Sequence, residues 1–139
     1  MKKQLIAGVF ALAIALVINA GQTSAQSQAL RVDVPFDFSA NNKTLPAGTY
    51  VVYPATDNRV MWRVQGADQP YATLVLAKRS QAGEHGNTRI SFRRYGDRYF
   101  LTGFKTPVNQ IELPMSGSEK DFRQAAGITL ARLVTLETK

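Results

Sequence analysis

Between Arg89 and Phe104 the chain interleaves guanidinium groups with aromatic rings. Arg89, Arg93, Tyr95, Arg98, Phe100 and Phe104 recur at spacings that a β-hairpin would gather on one face. A guanidinium is planar and permanently charged; it bonds carboxylate or phosphate through two donors and stacks on rings. A sheet face of that composition can stack on sugars or bases and pair with anionic groups. These six residues are the candidate ligand-binding set. The same pattern also serves a structural end, in which arginine stems lie over aromatic rings and shield them from water.

Other chemistry is sparse. His85 is the sole histidine and sits between Gly83 and Gly86 beside Glu84, which reads as a loop position. A catalytic triad or a histidine-based metal site needs more partners than that. With no cysteine the chain has no thiolate nucleophile, no cysteine metal site and no disulfide. Asp33 and Asp37, placed on one face of a strand, stand about 13 Å apart at 3.3 Å per residue, too far for either glycosidase geometry. Glu119 and Asp121 read as charges meeting the N-terminal dipole of a helix. There is no P-loop and no dinucleotide fingerprint. No catalytic residue, cofactor or metal is expected.

The candidate residues need a hairpin to hold them. Gly96-Asp97 lies between two strand-like runs, residues 88–95 and 98–104, and a two-residue turn there sets the register. Tyr95 then faces Arg98, Arg94 faces Tyr99, Arg93 faces Phe100 and Phe92 faces Leu101. Further on, Ile90 faces Gly103 and Arg89 faces Phe104. Opposed residues share a face, so Ile90, Phe92, Leu101 and Gly103 are predicted to point to the core. Arg94 and Tyr99 lie at the turn end of that face. The six candidates, with Ser91 and Thr102, point the other way. This assignment depends on the turn length, since a slip of one residue exchanges the faces.

Elsewhere the period-two signal recurs. Leu30, Val32, Val34, Phe36 and Phe38 alternate with Arg31, Asp33, Pro35 and Asp37, predicting a strand over residues 30–38, at an edge or bulged at Pro35. Residues 39–44 read as polar loop and Leu45-Pro46-Ala47-Gly48 as a turn. Strands are predicted over 49–53, 59–64 and 71–77, the last nearly all apolar and so central. Residues 80–87 read as loop and 110–113 as a short strand. Ser118 and Asp121 suggest a capping box for a helix over 119–126, closed by Gly127. The β-branched residues of 128–137 favour a final strand. Many short strands with no long helix for parallel crossovers mean an all-β, mainly antiparallel fold: a small β-sandwich or barrel of seven or eight strands with one short helix near the C-terminus.

Residues 1–25 read as a secretory signal rather than as part of this domain. Lys2 and Lys3 precede an uncharged apolar run over 5–18, and Thr23-Ser24-Ala25 offers the small residues a signal peptidase accepts. Fourteen apolar residues make about 21 Å of helix, short of the roughly 30 Å hydrocarbon core. Cleavage after Ala25 leaves a single β domain over 26–139, in the periplasm or outside the cell. Of 17 Lys and Arg, 15 remain against 10 acids, a net charge of +5, and ten of the fifteen are Arg. That balance favours acidic partners.

Three segments resemble stretches of small exported β-rich proteins of soil bacteria, a family with no assigned activity. They are Val34-Pro35-Phe36-Asp37-Phe38, then Leu45-Pro46-Ala47-Gly48-Thr49-Tyr50, then Phe92-Arg93-Arg94-Tyr95-Gly96-Asp97-Arg98-Tyr99-Phe100-Leu101. The likeness covers order and spacing from about residue 32 to 104. It implies export and a β fold, and it carries no activity with it. Together these features lead us to expect an exported, non-enzymatic β domain that binds an envelope or extracellular component, anionic in character. An anionic glycan or other envelope component is the expected partner, rather than nucleic acid. No transmembrane anchor is expected after cleavage. The alternatives are an assembly subunit that pairs through an exposed strand edge at residues 32–38, and a small hydrolase using Asp, Glu and Tyr.

Overall fold

Pro35 lacks the N–H that a strand ladder needs, and the first alternating run breaks there into two strands in different sheets. The computed structural model describes residues 29–83, 86–128 and 130–138; the predicted signal and the Glu84-His85 pair lie outside the described residues. Strand β1 (Leu30–Val34) and strand β2 (Phe38–Ala40) replace the single strand predicted over 30–38. The inward alternation survives the break: Leu30, Val32, Val34 and Phe38 are all buried.

The chain continues through β3 (Lys43–Leu45), β4 (Gly48–Pro54), β5 (Met61–Gly66), β6 (Ala72–Leu76) and β7 (Arg79–Ala82). It ends with β8 (Arg89–Tyr95), β9 (Arg98–Lys105), β10 (Asn109–Glu112), helix α1 (Gly117–Ala126) and β11 (Arg132–Glu137). One sheet has the order β1-β4-β5-β6. The other runs β11-β8-β9-β10-β7, with the β2–β3 hairpin attached to β9 through one parallel bridge at Ser39 and Phe100. All other pairings are antiparallel. The two sheets form a sandwich and do not close into a barrel. The strands beyond the predicted seven or eight are short pieces, β2, β3 and β7, of three or four residues each.

The core lies between the sheets, with Trp62, Tyr50, Phe38, Phe92 and Ile90 among its fully buried side chains. The Val34–Phe38 and Leu45–Tyr50 segments pack on one another. The Asp37 carboxylate accepts from the Ala47 N–H at 2.9 Å, the Thr49 hydroxyl donates to Asp33, and Phe38 meets Tyr50 edge-on at 5.1 Å. The Tyr50 hydroxyl donates to the Pro46 carbonyl and ties the turn to the strand it feeds.

Three local expectations are corrected. Residues 39–44 form a tight hairpin rather than a loop. Asn41 and Asn42 take φ of 46° and 66°, the left-handed pair that a two-residue turn matching the strand twist requires. β6 is the terminal strand of its sheet, not a central one. Its outward carbonyls at Leu74 and Ala72 accept from the side chains of Asn41 and Lys43, so the β2–β3 turn covers that edge. The helix begins before the predicted residue because Ser116, not Ser118, is its cap: Ser116 Oγ accepts from the Glu119 N–H at 3.2 Å. Gly127, at φ 63°, closes the helix as expected, and β11 is the expected final strand.

Candidate functional site

The β8–β9 turn is the predicted one. Gly96 has φ 62°, as the first position of a tight hairpin turn demands. Tyr95–Arg98, Arg94–Tyr99, Arg93–Phe100 and Phe92–Leu101 are register partners. Beyond Phe92 the register shifts. Gly103 faces Ser91, Phe104 faces Ile90 and Arg89 faces Lys105, leaving Thr102 as an extra residue on β9. This is a β-bulge, and no turn signal reports it. Its physical anchor is Gly103, where an added Cβ would stand 2.5 Å from the Ile111 carbonyl of β10. The bulge turns Phe104 to the core, where its ring meets Trp62 at 4.9 Å.

Helix α1 covers the face on which the other candidates lie. Glu119 is 1% exposed and receives Arg93 through two bonds, Nε to Oε1 at 2.6 Å and Nη2 to Oε2 at 3.1 Å. The Tyr95 hydroxyl donates to the same Oε1 at 2.7 Å. Burial and the neighbouring carboxylate push the Tyr95 phenol above its ordinary value, and the hydrogen bond to Glu119 raises Arg93 in the same way. Phe122 of the helix packs against Tyr95 and Phe100, with ring centres 6.1 and 5.8 Å away. Glu119 stands in the first turn of the helix, as predicted, and there also serves as a buried partner for Arg93 and Tyr95.

The six candidates do not share one exposed surface. Tyr95, Phe100 and Phe104 are buried, which corrects their expected exposure, and Arg93 is half-buried in its pair. Arg98 is exposed at the turn end, its Cζ 5.1 Å from the Phe122 ring centre and 5.8 Å from that of Phe100. Arg89 is exposed at the far end of the hairpin. Sheet pairing adds a cation that no local pattern indicates: Arg132 of β11 is the register partner of Arg94. Arg94 is held in place, its Nε donating to the Gly96 carbonyl at 2.6 Å and its Cζ lying 5.4 Å from the Tyr99 ring centre. Tyr99 is stacked in turn on Phe36 at 3.7 Å and 12°.

Arg94 and Arg132, with Gly96, Leu130 and Ala131, line an open concavity of about 490 Å³. Among the described residues, Arg94, Arg98 and Arg132 form no ion pair; the two pairs present are Lys78–Glu112 and Arg93–Glu119. Asp97 in the turn is the acid nearest in sequence to Arg94 and Arg98. The predicted hairpin did suggest Arg94 at the turn end. Arg132 and Leu130 join it only through the β8–β11 pairing, which links residues about forty positions apart.

Elsewhere, Asp33 and Asp37 fall on separate segments, each accepting a local hydrogen bond. Among the described residues, no three His, Cys, Asp or Glu side chains gather to hold a metal, and no helix is long and apolar enough to cross a membrane.

Fold and site together define a two-sheet β-sandwich whose helix α1 seals an aromatic sheet face and whose hairpin end carries three arginines. No protein-family model, curated protein or solved structure matches the chain.

Proposed function

We propose that the chain is an exported, non-enzymatic β domain that binds an anionic component of the envelope or extracellular space at its β8–β9 turn end. The observation that carries this reading is the direct opposition of Arg94 and Arg132, with Arg98 on the other face of the same turn end and no ion-pair partner for any of the three among the described residues. Like charges directly opposed on neighbouring strands are destabilising, and an anion seated between them offsets that cost. Arg94 is already oriented by its bond to Gly96 and its contact with Tyr99, so little side-chain freedom is lost on binding. Arg98 carries over from the sequence-derived set. Arg89 lies at the opposite end of the hairpin and serves as a control.

Salt elution from immobilised heparin tests the reading. Arg94→Gln/Arg132→Gln is expected to elute at clearly lower salt than wild type, and Arg89→Gln to shift little. Equal elution of the double variant and wild type overturns it.

One observation favours a second reading, an assembly subunit. β1 ends its sheet, and its free side borders a cleft of about 360 Å³ lined by Arg31, Val32, Asp33, Glu137 and Thr138. An open strand edge can accept a strand from another chain. Light scattering across a concentration series decides this reading: an unchanging monomer mass removes it.

A further inference from the structure

The exposed apolar side chains of this molecule are unevenly placed. Leu130 and Leu133 are 86% and 66% exposed, the barest large apolar residues among those described. Single exposed leucines are ordinary, but these two flank Arg132 at the arginine-bearing end. Leu130 shares the concavity with Arg94 and Arg132. Leu133 is the register partner of Arg93 and lies on the sheet face that carries Arg98. Guanidinium groups and bare aliphatic side chains thus meet at one rim, on both faces of the sheet.

A soluble polyanion would engage the cations and leave the leucines in water. A sugar or a base would need an exposed ring to stack on. Here Tyr95 and Phe100 are buried, and Tyr99 and Phe36 are stacked on each other and half-buried. A bilayer interface uses both features, since cations meet head-group phosphates while apolar side chains enter the boundary below them.

Building on the anion-binding reading, we infer that this end docks on a lipid surface bearing anionic head groups. Arg94, Arg98 and Arg132 meet the phosphates, and Leu130 and Leu133 enter the head-group–acyl boundary.

Co-sedimentation of the purified protein with vesicles tests the inference, using phosphatidylcholine alone and phosphatidylcholine with about 30% phosphatidylglycerol. Wild type is expected to sediment with the anionic vesicles and not with the neutral ones. Each arginine near such a surface strengthens binding about fivefold, so Arg94→Gln/Arg132→Gln should weaken it about 25-fold. Leu133→Ser, outside the concavity of Arg94 and Arg132, should weaken vesicle binding about tenfold while leaving elution from heparin unchanged. If wild type stays in the supernatant with anionic vesicles, or the leucine variant binds them as wild type does, the lipid inference is overturned. Arginine-dependent heparin retention would in that case leave the broader anion-binding reading standing; its loss removes both.

Discussion

Glu119 is the residue on which the two faces of the β8–β9 hairpin differ. A carboxylate 1% exposed is tolerable only when its charge is paired and its oxygens are bonded, and Arg93 and Tyr95 supply three donors between them. Glu119→Gln removes the charge and leaves Arg93 half-buried without a counter-ion. The expected loss is about 2–3 kcal/mol, read from the shift in urea midpoint. Tyr95 and Tyr50 make a separate statement about pH. Burial holds both phenols above their ordinary value of 10.0, with the Glu119 carboxylate adding to Tyr95 and Asp37 to Tyr50. Each therefore binds its proton more tightly folded than unfolded. The stability this contributes is complete below about pH 10 and is lost as pH rises through the raised folded values. Urea midpoints between pH 8 and 11 should fall at the alkaline end, and Tyr95→Phe should fall less steeply.

At the level of elements, the hairpin and the helix are coupled. β9 is buried on both faces, by the opposite sheet through Leu101 and Phe104 and by α1 over Phe100. Its bulge at Thr102 fits it to both: Thr102 Oγ1 donates to the Ser91 carbonyl at 3.1 Å, and its own carbonyl accepts from the Leu113 N–H at 2.9 Å. Gly103 makes the close approach to β10 possible. In Gly103→Ala the new Cβ meets backbone, not a movable side chain, so the β9–β10 ladder must open. A loss of about 2 kcal/mol is expected, seen as a lower urea midpoint at unchanged slope. The helix is also tied at its start: Asn42 of the β2–β3 turn accepts from the Ser118 N–H at 2.8 Å. One asparagine pair thus braces the helix start and covers the β6 edge.

Across the whole molecule, the two ends of the sandwich are treated differently. The β6 edge is blocked by Asn41 and Lys43. On the other side, β1 and β11 are both terminal strands with a cleft between them. The charge is uneven too. The acids that are paired among the described residues, Glu112 and Glu119, engage Lys78 and Arg93. The arginines at the turn end are left to solvent or to a ligand. Tyr95 and Phe100 are buried against helix α1, while Arg98, Arg132, Leu130 and Leu133 at the same end are exposed.

What the sequence determined by itself was local. Period-two alternation marked which side chains of residues 30–38 turn inward, and Gly96-Asp97 set the first four hairpin pairs, because both follow from backbone geometry within a few residues. Gly127 as a helix stop belongs to the same class. Only the tertiary structure decided the rest. That Pro35 moves the chain between sheets, that β6 lies at an edge, and that Thr102 is an extra residue each depend on a strand distant in sequence. The six candidate residues parted for the same reason. An aromatic–arginine face reads alike whether water or a helix lies over it, and Glu119 and Phe122, more than twenty positions from Arg93 and Phe100, settled which. Arg132 came to Arg94 by the same route, through a ladder whose register no local pattern encodes.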